Sequence, residues 1–155
     1  MPLLFLTLKT FSAAGGVEKV GRVAGKAVYG YAADNDEKAF FYSMYDSPSV
    51  TSEPYLPQKV FRGFGGNKIL FTLRSIRKSF GSNIIVVTHV KLLLPAYLAK
   101  LISKKTKVIL IAHGKEVWQP LSAFVRRMMN ACDIILPVSR FTKERMKELF
   151  DFPES

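Results

Sequence analysis

Lys107-Val108-Ile109-Leu110-Ile111-Ala112-His113-Gly114-Lys115-Glu116-Val117-Trp118 is the stretch on which the fold turns. Its first half is apolar almost without interruption, as expected of a strand covered on both faces, and such strands belong to parallel sheets. The run stops at a histidine and a glycine. A second run of the same kind, residues 83–88, stops at His89. Working outward, residues 3–8 and 39–45 read as strands, 59–61 as a short third and 133–138 as the last.

Helical patterns fill the gaps. Val17, Val20, Ala24, Ala27, Val28 and Tyr31 recur at 3.6-residue spacing. Ile69, Leu73, Ile76 and Phe80 repeat it, with Gly81 as a stop and Arg74, Arg77 and Lys78 on the opposite face. Residues 92–103 are apolar nearly all round, with Pro95 in the first turn. Leu121, Phe124, Val125, Met128 and Met129 form the next apolar face, with Pro120 near its start. Ser139 is placed to cap a last helix running to about Phe150. Residues 45–57, with Pro48, Pro54 and Pro57, read as a loop. Strand and helix alternate, so the fold class is α/β, a doubly wound parallel sheet whose ligands meet the loops after the strand carboxyl ends.

At 155 residues and 48% hydrophobic, the chain forms one domain with a real core, which argues against global disorder. The apolar start has no basic leader and no cleavage site, so it reads as a first strand and not a signal peptide. No stretch approaches the ~20 apolar residues of a membrane span. These features point to a cytoplasmic protein. One cysteine, Cys132, builds neither a disulfide framework nor a zinc site and reads as a buried thiol. The net charge of +11 is uneven: residues 1–58 carry 5 basic and 6 acidic side chains, residues 59–155 carry 18 and 6. Such asymmetry implies an anionic partner, whether nucleic acid, a membrane face or a phosphorylated small molecule.

Three strand ends carry unusual residues. After the first strand, Gly15-Gly16 opens directly into a helix, where exposed backbone N–H groups favour phosphate. An ordinary tight turn would use the same two glycines. Both histidines of the chain, His89 and His113, stand at strand ends, and His113 shares its loop with Lys115, Glu116 and Trp118. Metal binding is disfavoured, because no further His or Cys completes a ligand set. The sixth strand leads into Ser139-Arg140, where Ser139 suffices as a cap and Arg140 would face the same cleft.

Taken in order, Gly15-Gly16-Val17-Glu18-Lys19-Val20, Ala112-His113-Gly114-Lys115-Glu116-Val117-Trp118 and the stretch from Ala131-Cys132-Asp133 through Val138-Ser139-Arg140-Phe141-Thr142 resemble glycosyltransferase family 4. This is a retaining group with the GT-B fold. Cys132, between Ala131 and Asp133, departs slightly from the family pattern. The resemblance implies a Rossmann-like N-terminal, acceptor-side domain spanning 1–155, with the C-terminal donor-binding domain outside this chain. The stop just past a helix, at Asp151-Phe152-Pro153-Glu154-Ser155, reads as a domain cut from a longer protein.

The resemblance also implies a hexosyl transfer from a nucleotide sugar to a glycan or lipid-linked acceptor, as in polysaccharide or lipopolysaccharide assembly, without cofactor or metal. Gly15 and Gly16 would lie against the donor diphosphate, and His113 near the transferred sugar as the catalytic residue. His89, Lys115, Glu116, Ser139 and Arg140 would line the acceptor side. Isolated from its partner domain, the chain would be inactive. A lipid-linked acceptor would bring Arg74, Arg77, Lys78, Lys100, Lys104, Lys105 and Lys107 against an anionic membrane.

Two rival readings fit less. A basic nucleic-acid-binding module accounts for the charge, but no recognition signature appears and the cations are spread over several helices, so nucleic acid is not the expected partner. A dinucleotide-dependent oxidoreductase lacks the G-x-G-x-x-G fingerprint and its acidic partner.

Overall fold

The structure, a computed structural model, describes residues 2–150. Residues 151–155, where the sequence suggests a domain boundary, lie outside the described residues. Six parallel strands form one sheet: β1 (Leu3–Thr7), β2 (Ala39–Ser43), β3 (Phe61–Gly63), β4 (Ile84–Val87), β5 (Lys107–Ala112) and β6 (Ile134–Pro137), in the order β3-β2-β1-β4-β5-β6. The helices are α1 (Gly16–Asp34), α2 (Lys68–Ser79), α3 (Leu93–Ile102), α4 (Gly114–Val117), α5 (Ala123–Asn130) and α6 (Arg140–Phe150). The order reverses at β1, so β1 and β4 flank the switch point where ligands of doubly wound sheets collect.

Alternating residues of the central strands feed two cores. Leu4, Leu6, Ile85, Val87, Val108 and Leu110 pack beneath α2, α3 and α5. Leu3, Phe5, Phe41, Val86 and Ile111 pack on the α1 side. β1 and β4 and the second half of β5 run nearly dry, in keeping with strands covered on both faces, whereas β6 leaves Ile134 and Leu136 half exposed. The α1 helix sits close to the sheet because small residues, Gly21, Gly25 and Ala32, form its buried face. A side-chain carbon at Gly25 would already touch Phe41 and Leu56.

Four details depart from the sequence reading. The third strand is Phe61–Gly63, since Gln58–Val60 winds into a 3₁₀ turn ahead of it. Gly81 follows the helix end at Phe80 without a left-handed φ. The fifth helix begins after Ser122, whose Oγ accepts the Val125 N–H at 3.4 Å, and not near Pro120. Most consequentially, α2 is turned over. Phe71, Ser75 and Ser79 face the sheet, while Ile69 and Leu73 stand 76% and 62% exposed. Phe71 meets Phe64 edge-on at 5.3 Å, and burying one such ring contributes about 2–3 kcal/mol. The two serines let the helix settle close to the strands.

Candidate active site

The first loop at the carboxyl edge, residues 8–15, is held from below by a carboxylate that sequence reading missed. Asp46, fully buried just past β2, accepts the backbone N–H groups of Thr10, Phe11 and Ser12 at 2.8 to 3.2 Å. It also accepts the hydroxyls of Ser12 at 2.5 Å and Ser43 at 2.7 Å. Burial alone would raise its pKa, but these hydrogen bonds outweigh it and hold the carboxyl below the ordinary value. From the other side, Arg22 on α1 donates to the carbonyls of Thr10 at 2.7 Å and Ala13 at 3.1 Å. The loop is therefore clamped on both its donors and its acceptors.

That clamp aims the start of α1 at the sheet edge. Gly15 is the N-cap residue in extended backbone, and no side chain caps the helix. A β-carbon at Gly16 would meet nothing within 4 Å. A β-carbon at Gly15 would collide with the Glu18 carboxylate, which folds back over the helix start. Open backbone N–H groups at a helix N-terminus attract anions, and Glu18 is the anion nearest them.

The second loop is built on β5. Residues 113–118, read from sequence as irregular, coil into the single turn of α4 with His113 as N-cap. Gly114 is needed here for close approach, because a β-carbon would lie 2.6 Å from the Trp118 ring. His113 is 5% exposed, and its Nε2 has no hydrogen-bond partner among the described residues. Burial pushes its pKa below the ordinary 6.5, against the pull of the Glu116 and Glu18 charges and with a smaller push from His89. The α1 start and the β5 loop both follow carboxyl ends of parallel strands, which puts them on one edge of the sheet.

His89 and Glu116 engage one another. The backbone N–H of Lys91 donates to His89 Nδ1 at 3.1 Å, so the ring proton sits on Nε2. That nitrogen lies 2.5 Å from Glu116 Oε2, a close polar contact that falls short of an aligned hydrogen bond. The other oxygen, Oε1, accepts the His113 backbone N–H at 3.1 Å. Glu116 thus fastens the β4 end to the β5 end, and its oxygens are already engaged.

Ser139 caps α6 as its sequence position suggests: its Oγ accepts the Thr142 N–H at 3.1 Å. The Thr142 hydroxyl also accepts Trp118 Nε1–H at 3.3 Å, and Trp118 stacks edge-on with Phe141 at 5.1 Å. Thr142, held in turn by Ser139 Oγ, therefore ties α6 to the β5 loop. Lys115 and Arg140 are exposed and have no ion-pair partner among the described residues. Cys132 is half-buried, with burial pushing its thiol up to about 12. Among the described residues no three His, Cys, Asp or Glu side chains gather as a metal site.

The two strongest features thus share one edge: an uncapped helix start after β1 and a buried imidazole after β5 whose Nε2 has no hydrogen-bond partner among the described residues. Strand order and edge chemistry together define an α/β protein of the Rossmann-like type. Within that type, residues 24–155 match Glycosyltransferase Family 4, and the chain belongs to that family. The match begins inside α1, so it does not include Gly15 and Gly16. A solved structure described as the lipopolysaccharide outer core galactosyltransferase WaaB, apo form, superposes with a TM-score of 0.57 at 14% identity, over 96% of this chain. That similarity carries the GT-B fold, and the chain spans 42% of the neighbour's length. No curated protein sequence matches the chain significantly.

Proposed function

We propose that the chain is the acceptor-side domain of a glycosyltransferase that moves a sugar from a nucleotide-sugar donor to a glycan or lipid-linked acceptor with retention at the anomeric carbon. One observation carries the reading: a family 4 chain with a buried, partnerless His113 Nε2 on the edge where α1 opens at Gly15-Gly16. The bond between anomeric carbon and diphosphate oxygen breaks, one from that carbon to an acceptor hydroxyl oxygen forms, and the hydroxyl proton passes to the departing diphosphate. The departing diphosphate carries the growing charge, which helix-start N–H groups stabilise. Glu18 now occupies that terminus, and the diphosphate replaces it.

His113, held neutral by burial, offers a hydrogen bond to a sugar hydroxyl without adding charge. Lys115 and Arg140 are free to meet the acceptor. His89, Glu116 and Ser139 serve it indirectly, by fixing the two loops. The neighbour's description as a lipopolysaccharide outer core galactosyltransferase favours a hexose donor and a saccharide acceptor. We place the donor-binding half outside residues 1–155, which accords with the chain spanning 42% of the neighbour. Mixing the polypeptide that carries both halves with a panel of nucleotide sugars and extracted lipid and glycan acceptors tests the reading. Transfer with release of nucleoside diphosphate is the expected result, and its absence across the panel contradicts it.

A further inference from the structure

The outer flank of α1 carries a glycine that the fold does not need. Gly21 and Gly25 let the helix close on Thr10 and Phe41, where a β-carbon would already be in contact. Gly30 has no such neighbour: a β-carbon there would meet nothing within 4 Å. Apart from proline, glycine is the residue that disfavours a helix interior most. Gly30 also lies about 21 Å along the helix axis from Gly16, well removed from the helix start.

Gly30 forms the floor of a groove. Lys26, Tyr29 and Gly30 share one face of α1 at i, i+3 and i+4 spacing, and Glu53, Pro54 and Tyr55 stand opposite, bounding about 470 Å³. That volume lies within the roughly 300–1,000 Å³ of small-ligand sites. The far wall is firmly built. Ser52, wholly buried, donates to the Leu56 carbonyl at 2.9 Å and to Gln58 Oε1 at 3.1 Å, and Gln58 Nε2 donates to the Val50 carbonyl at 3.1 Å. Leu56 anchors the same loop in the core. Arg22 lies over the Tyr55 ring, 5.8 Å from its centroid, and Phe11 is tilted against that ring at 6.4 Å. The wall is thus fixed before any ligand arrives.

The groove mixes apolar rings with balanced charge. Lys26 and Glu53 are exposed, and neither they nor the Tyr29 and Tyr55 hydroxyls have a hydrogen-bond or ion-pair partner among the described residues. A phosphate or a nucleic acid would set its charge against Glu53. A proline-rich peptide offers carbonyls to Lys26 but, lacking N–H groups, no donor to Glu53. A sugar serves both, since each hydroxyl donates and accepts, and its C–H face lies against tyrosine and proline rings. We propose that the groove between α1 and residues 53–57 binds a neutral oligosaccharide, with one sugar ring on the open floor at Gly30 and its hydroxyls shared between Lys26 and Glu53. This site stands apart from sugar transfer: it uses neither His113 nor the helix start, and it breaks no bond.

The isotope-labelled 155-residue chain is titrated by NMR with maltohexaose, cellohexaose and mannohexaose, and separately with hexaproline and inorganic phosphate. At least one of the three sugars should shift the amide signals of Gly30 and Tyr55 saturably. Gly30→Leu fills the floor without a clash, so it should melt no lower than the parent while binding falls roughly tenfold or more. Glu53→Ala should weaken binding roughly tenfold, the scale of one charge-assisted hydrogen bond. No shift at Gly30 and Tyr55 with any of the sugars overturns the proposal, as does undiminished binding by Gly30→Leu. Saturable shifts there with hexaproline or phosphate, and none with sugar, also overturn it. Sugar-induced shifts confined to residues 15–18 and 113–116 would overturn it while leaving the transfer reading in place.

Discussion

His113 is 5% exposed, so any substitution there mixes lost chemistry with lost packing. His113→Gln keeps most of the volume and a hydrogen-bonding end, which makes it a cleaner probe than Ala. With the complete enzyme we expect kcat to fall about a hundredfold, the scale of one lost polar group aimed at a reacting centre. Thermal stability should move far less, and steady-state kinetics beside a melting curve separates the two. The same residue sets a pH dependence. Its folded pKa lies below the ordinary 6.5, so the unfolded chain takes up this proton more readily. Folding stability is whole above that value and declines as pH falls below it toward the depressed one. Urea midpoints should drop from about pH 7 to about pH 5, and His113→Gln should remove that part of the slope.

Elements are where the clamp on the first loop can be measured. Asp46→Ala leaves three backbone N–H groups and two hydroxyls without their acceptor, at a cost of about 3 kcal/mol or more in urea denaturation. A variant as stable as the parent would contradict the clamp. Gly114→Ala drives a β-carbon into Trp118, and overpacking of this kind costs about 1–3 kcal/mol. Trp118 is the single tryptophan, so its fluorescence should shift with the same substitution. Gly16→Val has open space around it, and a folded variant with impaired transfer would place the diphosphate there.

Much at this scale was legible in the chain. Residues 107–112 and 83–88 read as strands because both faces are covered and no polar residue interrupts them. Ser139 read as a cap because its hydroxyl needs only the N–H three residues on. The orientation of α2 was not legible, since 3.6-residue spacing finds an apolar face without saying which face meets the sheet. Nor was Asp46, whose backbone partners lie 34 to 36 residues away. The lone carboxylate after a strand end was its only signal.

At the scale of the whole molecule, fold and family are clear and the division of labour is the claim at issue. The strand-end edge of this chain offers an anion-friendly helix start and one buried imidazole, but few side chains that could recognise a base or a ribose. Calorimetry on the 155-residue chain should therefore detect no micromolar affinity for nucleotide sugars, and such affinity would contradict an acceptor-side role. The most direct measurement pairs the complete enzyme with its His113→Gln variant, following nucleoside diphosphate release and the anomeric configuration of the product across a donor panel. The account predicts transfer with retention from one or a few donors and a drop of about two orders of magnitude in the variant. Inverted product, or a variant as fast as its parent, would contradict it.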